Sequence, residues 1–156
     1  MGGAWDATNV IDAPVSVITP IALDHQHFLG DRLTDIATEK AGIIKPGGIA
    51  VIGLQDDPEV VEILRERAET VGARAVFEGH DFGVTERDVA VGGQQISVRG
   101  LAAEYEDLYL PLYGTHQAQN AAVAIAAVEA FIGGGEKPLD IEVLRAGLAR
   151  ATSAGS

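Results

Sequence analysis

"IAVIGLQDDPEVVEILRERAETVGARAVFEG", residues 49–79, is the stretch whose reading decides the fold. "IAVIGL" (49–54) is a short apolar run that suits a strand buried on both faces. Asp57 then offers a side-chain oxygen to the free amides of a helix start. Pro58 takes the first helical position, where a missing N–H costs nothing. Gly72 ends the helix, and "ARAVFEG" (73–79) is the next strand. Strand, helix, strand in this rhythm implies a right-handed crossover and a parallel pair.

The same rhythm extends upstream. "VSVITPIAL" (15–23) is a β-branched run bounded by Pro14 and Asp24, and a helix is predicted from Asp31, as N-cap, to Ile44, stopped by "KPGG". Downstream the style changes. "FGVTERDVAVGGQQISVRGL" (82–101) alternates around Gly92-Gly93 as a hairpin does, and "EDLYLPLYG" (106–114) reads as a further strand beside it. "HQAQNAAVAIAAVEAFIG" (116–133) is an alanine-rich, mostly buried helix; "GGGEKP" is a loop, and "LDIEVLRAGLARA" (139–151) is a last amphipathic helix. The expected fold is α/β: a mostly parallel sheet with flanking helices, plus a small antiparallel sheet.

The chain has 156 residues, the size of one domain with a real core, and no cysteine, which excludes disulfides and thiolate metal sites. That usage fits a cytoplasmic protein. No apolar run approaches a membrane span. The net charge of −12 repels phosphate backbones, so nucleic acid is not an expected partner. A surface this acidic needs metal ions or backbone amides to hold an anionic ligand.

Three clusters could carry chemistry. "LDHQHFLGD" (23–31) follows the first strand, at the sheet edge where ligands sit in open α/β folds. There Asp24 either caps a turn or meets a ligand, and His25 is either a loop histidine or a metal ligand. Lys40 falls in the stripe of Leu33, Ile36, Ala37, Ala41 and Ile44. Either its stem snorkels along the core edge, or desolvation frees its amine to attack carbon dioxide and form an anionic carbamate suited to Mg²⁺. In "GTHQAQN" (114–120), His116 and Asn120 share a helical face. They either satisfy a helix start or read an adenine edge through the carboxamide.

Taken in order, "GGAWDATNVIDAP" (2–14), "PIALDHQHFLGD" (20–31), "EKAGIIKPG" (39–47) and "LPLYGTHQAQNAAVAIAAVEAF" (110–131) resemble the central domain of folylpolyglutamate synthase. Bifunctional dihydrofolate synthases share this domain, and Mur ligases are distant relatives. The resemblance implies an ATP-dependent amide ligase acting on folate and L-glutamate through an acyl phosphate. Carried over by position, His25 and Lys40, the latter as carbamate, correspond to Mg²⁺ ligands and to the catalytic pair. Asp6, Thr8, Asn9 and Asp24 correspond to substrate-binding positions, and Asn120, His116 and Gln117 to ATP-binding ones.

The departures shape the expectation. No G-x-x-x-x-G-K-[ST] phosphate loop occurs in the chain, Ala4 stands where the family usually has arginine, and residues 152–156 read TSAGS where it usually reads TSPGR. Residues 1–156 are therefore expected to form one domain, the C-terminal portion of a Mur-ligase-like central ATP-binding domain truncated at its N-terminus. The phosphate loop and the C-terminal domain are absent from it. Such a chain is expected to be inactive alone and to bind Mg²⁺ and ATP weakly or not at all. The alternative is a non-catalytic scaffold, or a domain that self-associates through an exposed sheet edge.

Overall fold

The structure is a computed structural model that describes residues 14–21 and 30–151. Its parallel sheet contains β1 (Val15–Ile18), β2 (Ile49–Ile52) and β3 (Arg74–Phe77), in that spatial order. Val15 pairs with Ile49 and Ile49 with Arg74, each ladder running four residues. β2 is central among the described strands and all four of its residues are buried, as its uniformly apolar sequence requires.

Alternation along β2 sorts two cores. Ala50 and Ile52 join Ile18 in packing against Ala37, Ala41 and Ile44, and against Val60 and Leu64. Those partners come from and just beyond α1 (Gly30–Ala41), and from α2 (Pro58–Val71). Asp57 caps α2 by accepting the Glu59 N–H at 2.8 Å, and Gly72 closes it in the left-handed conformation at φ 71°. Ile49, Val51 and Val76 point the other way, into the core built around α3 (Thr115–Gly133).

The antiparallel sheet, β4 (Gly83–Ala90), β5 (Gly93–Arg99) and β6 (Glu104–Leu110), packs on that same core. α3 thus has sheet residues on two sides, and its buried Ala118, Ala121, Ala122, Ala126 and Ala130 permit close approach to both. α4 (Ile141–Ala149) lies against β6 and starts at Asp140, whose carboxylate accepts the Glu142 and Val143 amides. No described helix is long and apolar enough to cross a membrane.

Several boundaries differ from the sequence expectation. β1 stops at Ile18, just before Thr19-Pro20, because proline cannot donate to a ladder. α1 begins at Gly30, so Asp31 lies inside it, and it ends at Ala41 rather than Ile44. Residues 42–44 form tight turns instead, with Ile43 N–H donating to Lys40 O at 3.1 Å. The hairpin loop is Val91-Gly92 with Ala90 paired to Gly93, one residue earlier than the Gly92-Gly93 centre. Gly93 is needed in the strand, because a Cβ there would strike the Leu110 carbonyl.

Candidate functional site

The carboxyl ends of the three parallel strands form one edge, where ligands collect in open α/β sheets. Polar groups lace the exits together. Gly53 N–H donates to Ile18 O at 2.7 Å, tying β2 to β1, and Glu78 N–H donates to Ile52 O at 2.9 Å, tying β3 to β2. Beyond the ladders, Gln55 reaches back to Thr19 and Ile21, and the Glu78 carboxylate accepts the Leu54 N–H at 3.0 Å.

Two clefts open on this edge. The first, about 220 Å³, is lined by residues 17–21 of the β1 exit together with Ile36, Lys40 and Ile43. Lys40 therefore faces the end of β1. The apolar stripe it interrupts is real, since Ala37, Ala41 and Ile44 are buried, but Lys40 itself is exposed. Of the two readings of Lys40, the exposed side chain agrees with a stem lying along the core edge and not with a buried amine: Lys40 sits on the stripe's border, and its position is what marks it. Lys40 is also the only ionisable side chain lining this cleft among the described residues. Asp6, Thr8, Asn9, Asp24 and His25 lie outside the described residues.

The second cleft, about 360 Å³, lies at the exits of β2 and β3 and the start of α3, between Leu54, Glu78, Gly79, Thr115 and Gln119, with residues 83–87 of β4 on its far side. α3 begins at Gly114 with no side-chain cap, so its first-turn amides remain available to an acceptor or anion. Gln94, buried in β5, builds that start: its Nε2 donates to Leu112 O at 2.7 Å and Gly114 O at 2.9 Å, while its Oε1 accepts from Arg87 at 3.1 Å.

Glu78 is 7% exposed, and burial pushes its carboxyl up from the ordinary range; the Leu54 hydrogen bond and the charge of His116 pull the other way. Its Oε1 is held by Leu54, and no hydrogen bond to its Oε2 is found among the described residues. The cleft can thus offer a carboxyl acceptor, or donor when protonated, opposite a set of amide donors.

The structure brings the predicted residues only partly together. His116, Gln117 and Asn120 stand on the first turns of α3, with His116 and Asn120 exposed and Gln117 half-buried. None of the three lines the second cleft, which faces Thr115, Ala118 and Gln119 instead, and neither cleft includes both Lys40 and an α3 residue. Among the described residues no group of three His, Asp or Glu side chains could hold a metal ion. Sequence reasoning does not single out Gln55, Glu78 or Gln94. The only signal for Gln55 and Glu78 is that each closely follows a buried strand, where carboxyl-edge residues collect.

Comparison with known proteins adds to this geometry. Residues 5–128 match the Mur ligase middle domain family. The chain is 50% identical to the dihydrofolate synthase/folylpolyglutamate synthase of Mycobacterium tuberculosis, over 99% of this chain and 33% of that protein. It is 37% identical to the folylpolyglutamate synthase of Lacticaseibacillus casei, over 96% and 35%. The M. tuberculosis folylpolyglutamate synthase structure complexed with ADP and AMPPCP superposes with a TM-score of 0.83 at 50% identity, over 99% of this chain and 35% of that one. This chain spans about a third of the length of the curated relatives it matches.

Proposed function

The chain belongs to the Mur ligase middle domain family, and on that premise we propose that residues 1–156 are part of the central ATP-binding domain of an enzyme that joins L-glutamate to folates. The reaction activates a carboxylate on the folate side: its oxygen attacks the γ-phosphorus of ATP, and ADP leaves. The glutamate amine then attacks the acyl phosphate carbon, an amide forms, and inorganic phosphate departs with the C–O bond that breaks. The observation that supports this reading is the position of Lys40, at the end of β1 and on the same sheet edge as the open amino terminus of α3.

In this reading Asn120, His116 and Gln117 meet the nucleotide, and Asp6, Thr8, Asn9 and Asp24 meet the folate. His25 and Lys40 would hold Mg²⁺. A bare ammonium does not fit a cation, and Lys40 is the ionisable group lining its cleft among the described residues, so the fit would require its anionic carbamate form together with the His25 imidazole. A magnesium ion so held would neutralise charge on phosphate oxygens. With no phosphate loop sequence in the chain, the isolated 156 residues are expected to be silent.

The experiment is a graft. The 50%-identical relative is rebuilt with these residues in place of its own matching third, and phosphate release is followed with Mg-ATP, a reduced folate and L-glutamate. The chimera is expected to turn over, and Lys40→Ala within it to lose about a hundredfold or more. A folded but inactive chimera, or turnover by the isolated chain, contradicts the proposal.

A further inference from the structure

The first cleft has a wall that the sheet does not secure. β1 ends at Ile18, Pro20 has no N–H, and so Thr19, Pro20 and Ile21 leave the ladder as they line the cleft opposite Lys40. Among the described residues, the side chain that holds them comes from the exit of the neighbouring strand. Gln55 Oε1 accepts the Ile21 N–H at 2.8 Å. Its Nε2 donates to Thr19 O at 3.2 Å and to Gly53 O at 2.9 Å. Gly53 completes the fit, since a Cβ there would lie 3.0 Å from Pro20 Cδ.

This arrangement demands a carboxamide. The wall presents one donor and one acceptor, and the Gln55 turn presents a second acceptor, so the group must accept once and donate twice from a single end. A glutamate would set an oxygen against two carbonyls, and an asparagine is one methylene short.

We propose that Gln55 is a positioning residue for the Lys40 cleft, holding the Thr19–Ile21 wall at a fixed place opposite the lysine amine. The inference rests on the reading of Lys40 as the functional group of that cleft. Gln55 touches neither the lysine nor a substrate; it acts through the backbone it holds.

The test compares the 156-residue chain with its Gln55→Ala and Gln55→Glu variants, the second keeping size in case the first folds poorly. Two quantities are read: amide hydrogen exchange at Ile21, and competitive acylation at a single pH of Lys40, Lys45 and Lys137, resolved by mass spectrometry. Ile21 is expected to exchange about tenfold faster in Gln55→Ala and by a smaller factor in Gln55→Glu, whose carboxylate still accepts the amide but repels the two carbonyls. In both, Lys40 is expected to change its acylation rate about threefold relative to the other two lysines. Unchanged protection at Ile21 overturns the proposal. So does an unchanged Lys40 ratio once Ile21 has loosened, and so does a shift shared by all three lysines, which marks general loosening. Acylation needs neither metal nor nucleotide, so an inactive chimera would leave this result standing, and the reverse also holds.

Discussion

Glu129 and Tyr105 share a buried hydrogen bond of 2.7 Å, in which the tyrosine hydroxyl donates to a carboxylate with no exposure at all. The same hydroxyl oxygen accepts the Leu139 N–H at 2.8 Å, and the carboxylate also accepts the Leu101 and Ala102 amides at 2.6 and 3.1 Å. One side chain of α3 thereby ties down the β5–β6 turn, and through Tyr105 the approach to α4.

Removing that carboxylate leaves the amides of half-buried Leu101 and Ala102 without their acceptor and takes away the group to which the buried Tyr105 hydroxyl donates. Glu129→Ala is expected to cost about 2–4 kcal/mol and Glu129→Gln less, because its carbonyl still accepts. Urea unfolding checks both values. An Ala variant as stable as the parent would mean that water or a shifted backbone replaces the bonds.

Gly100 makes the site stricter. A Cβ there would sit 2.5 Å from Glu129 Oε1 and 2.7 Å from Oε2, and the carboxylate is held by its donors and cannot yield. Gly100→Ala is expected to destabilise by about 2 kcal/mol in the parent and clearly less in the Glu129→Ala background. Additive losses in the double-mutant cycle would show that the contact is not what matters.

Burial pushes the Tyr105 hydroxyl up to about 12, with the Glu129 hydrogen bond and charge adding to it and the Leu139 bond opposing. The folded state therefore keeps a proton that the unfolded chain gives up near pH 10. This contribution is intact below pH 10 and is lost as pH rises toward 12, on the order of 2 kcal/mol in all. Unfolding midpoints at pH 9 and pH 11 should fall more for the parent than for Tyr105→Phe. Equal falls would show that the Tyr105 hydroxyl does not control alkaline stability.

Glu78 carries the same sign at lower pH. Its raised carboxyl favours the fold when protonated, a benefit complete below pH 4.5 and lost as pH rises through the folded value. Glu78→Gln keeps an acceptor for Leu54 and removes the buried charge. It is expected to melt higher than the parent at pH 7, with the difference closing by pH 4. A variant that melts lower at pH 7 would show that the folded protein compensates the charge, so that the carboxylate stabilises rather than strains the cleft.

Much of the architecture was legible because local signals agreed: Asp57-Pro58 and Gly72 bracket α2, and the apolar β2 run marks a strand buried on both faces. The carboxyl edge was less so. Gln55 and Glu78 read as ordinary polar residues after a strand, and their roles exist only once distant backbone arrives, 34 residues away for Ile21 and 24 for Leu54. Glu129 did leave a trace. It continues the face of Ala118, Ala122, Ile125 and Ala126, all buried, and a carboxylate in such a stripe needs donors from elsewhere. Lys40 followed its stripe by spacing but not by burial, because periodicity gives a direction and not the neighbours that cover it.

Whether Lys40 is the metal-site lysine of a folate–glutamate ligase is tested most directly by its carbamate. The chimera that carries these residues in the 50%-identical relative is held in ¹³C-bicarbonate with Mg²⁺ and ATP, and the ¹³C spectrum is compared with that of Lys40→Arg within it, which keeps the charge and cannot form the adduct. The expected result is a carbamate resonance that correlates with the Lys40 side chain and disappears in the variant. A spectrum with no such resonance, or one that persists in Lys40→Arg, would contradict the assignment.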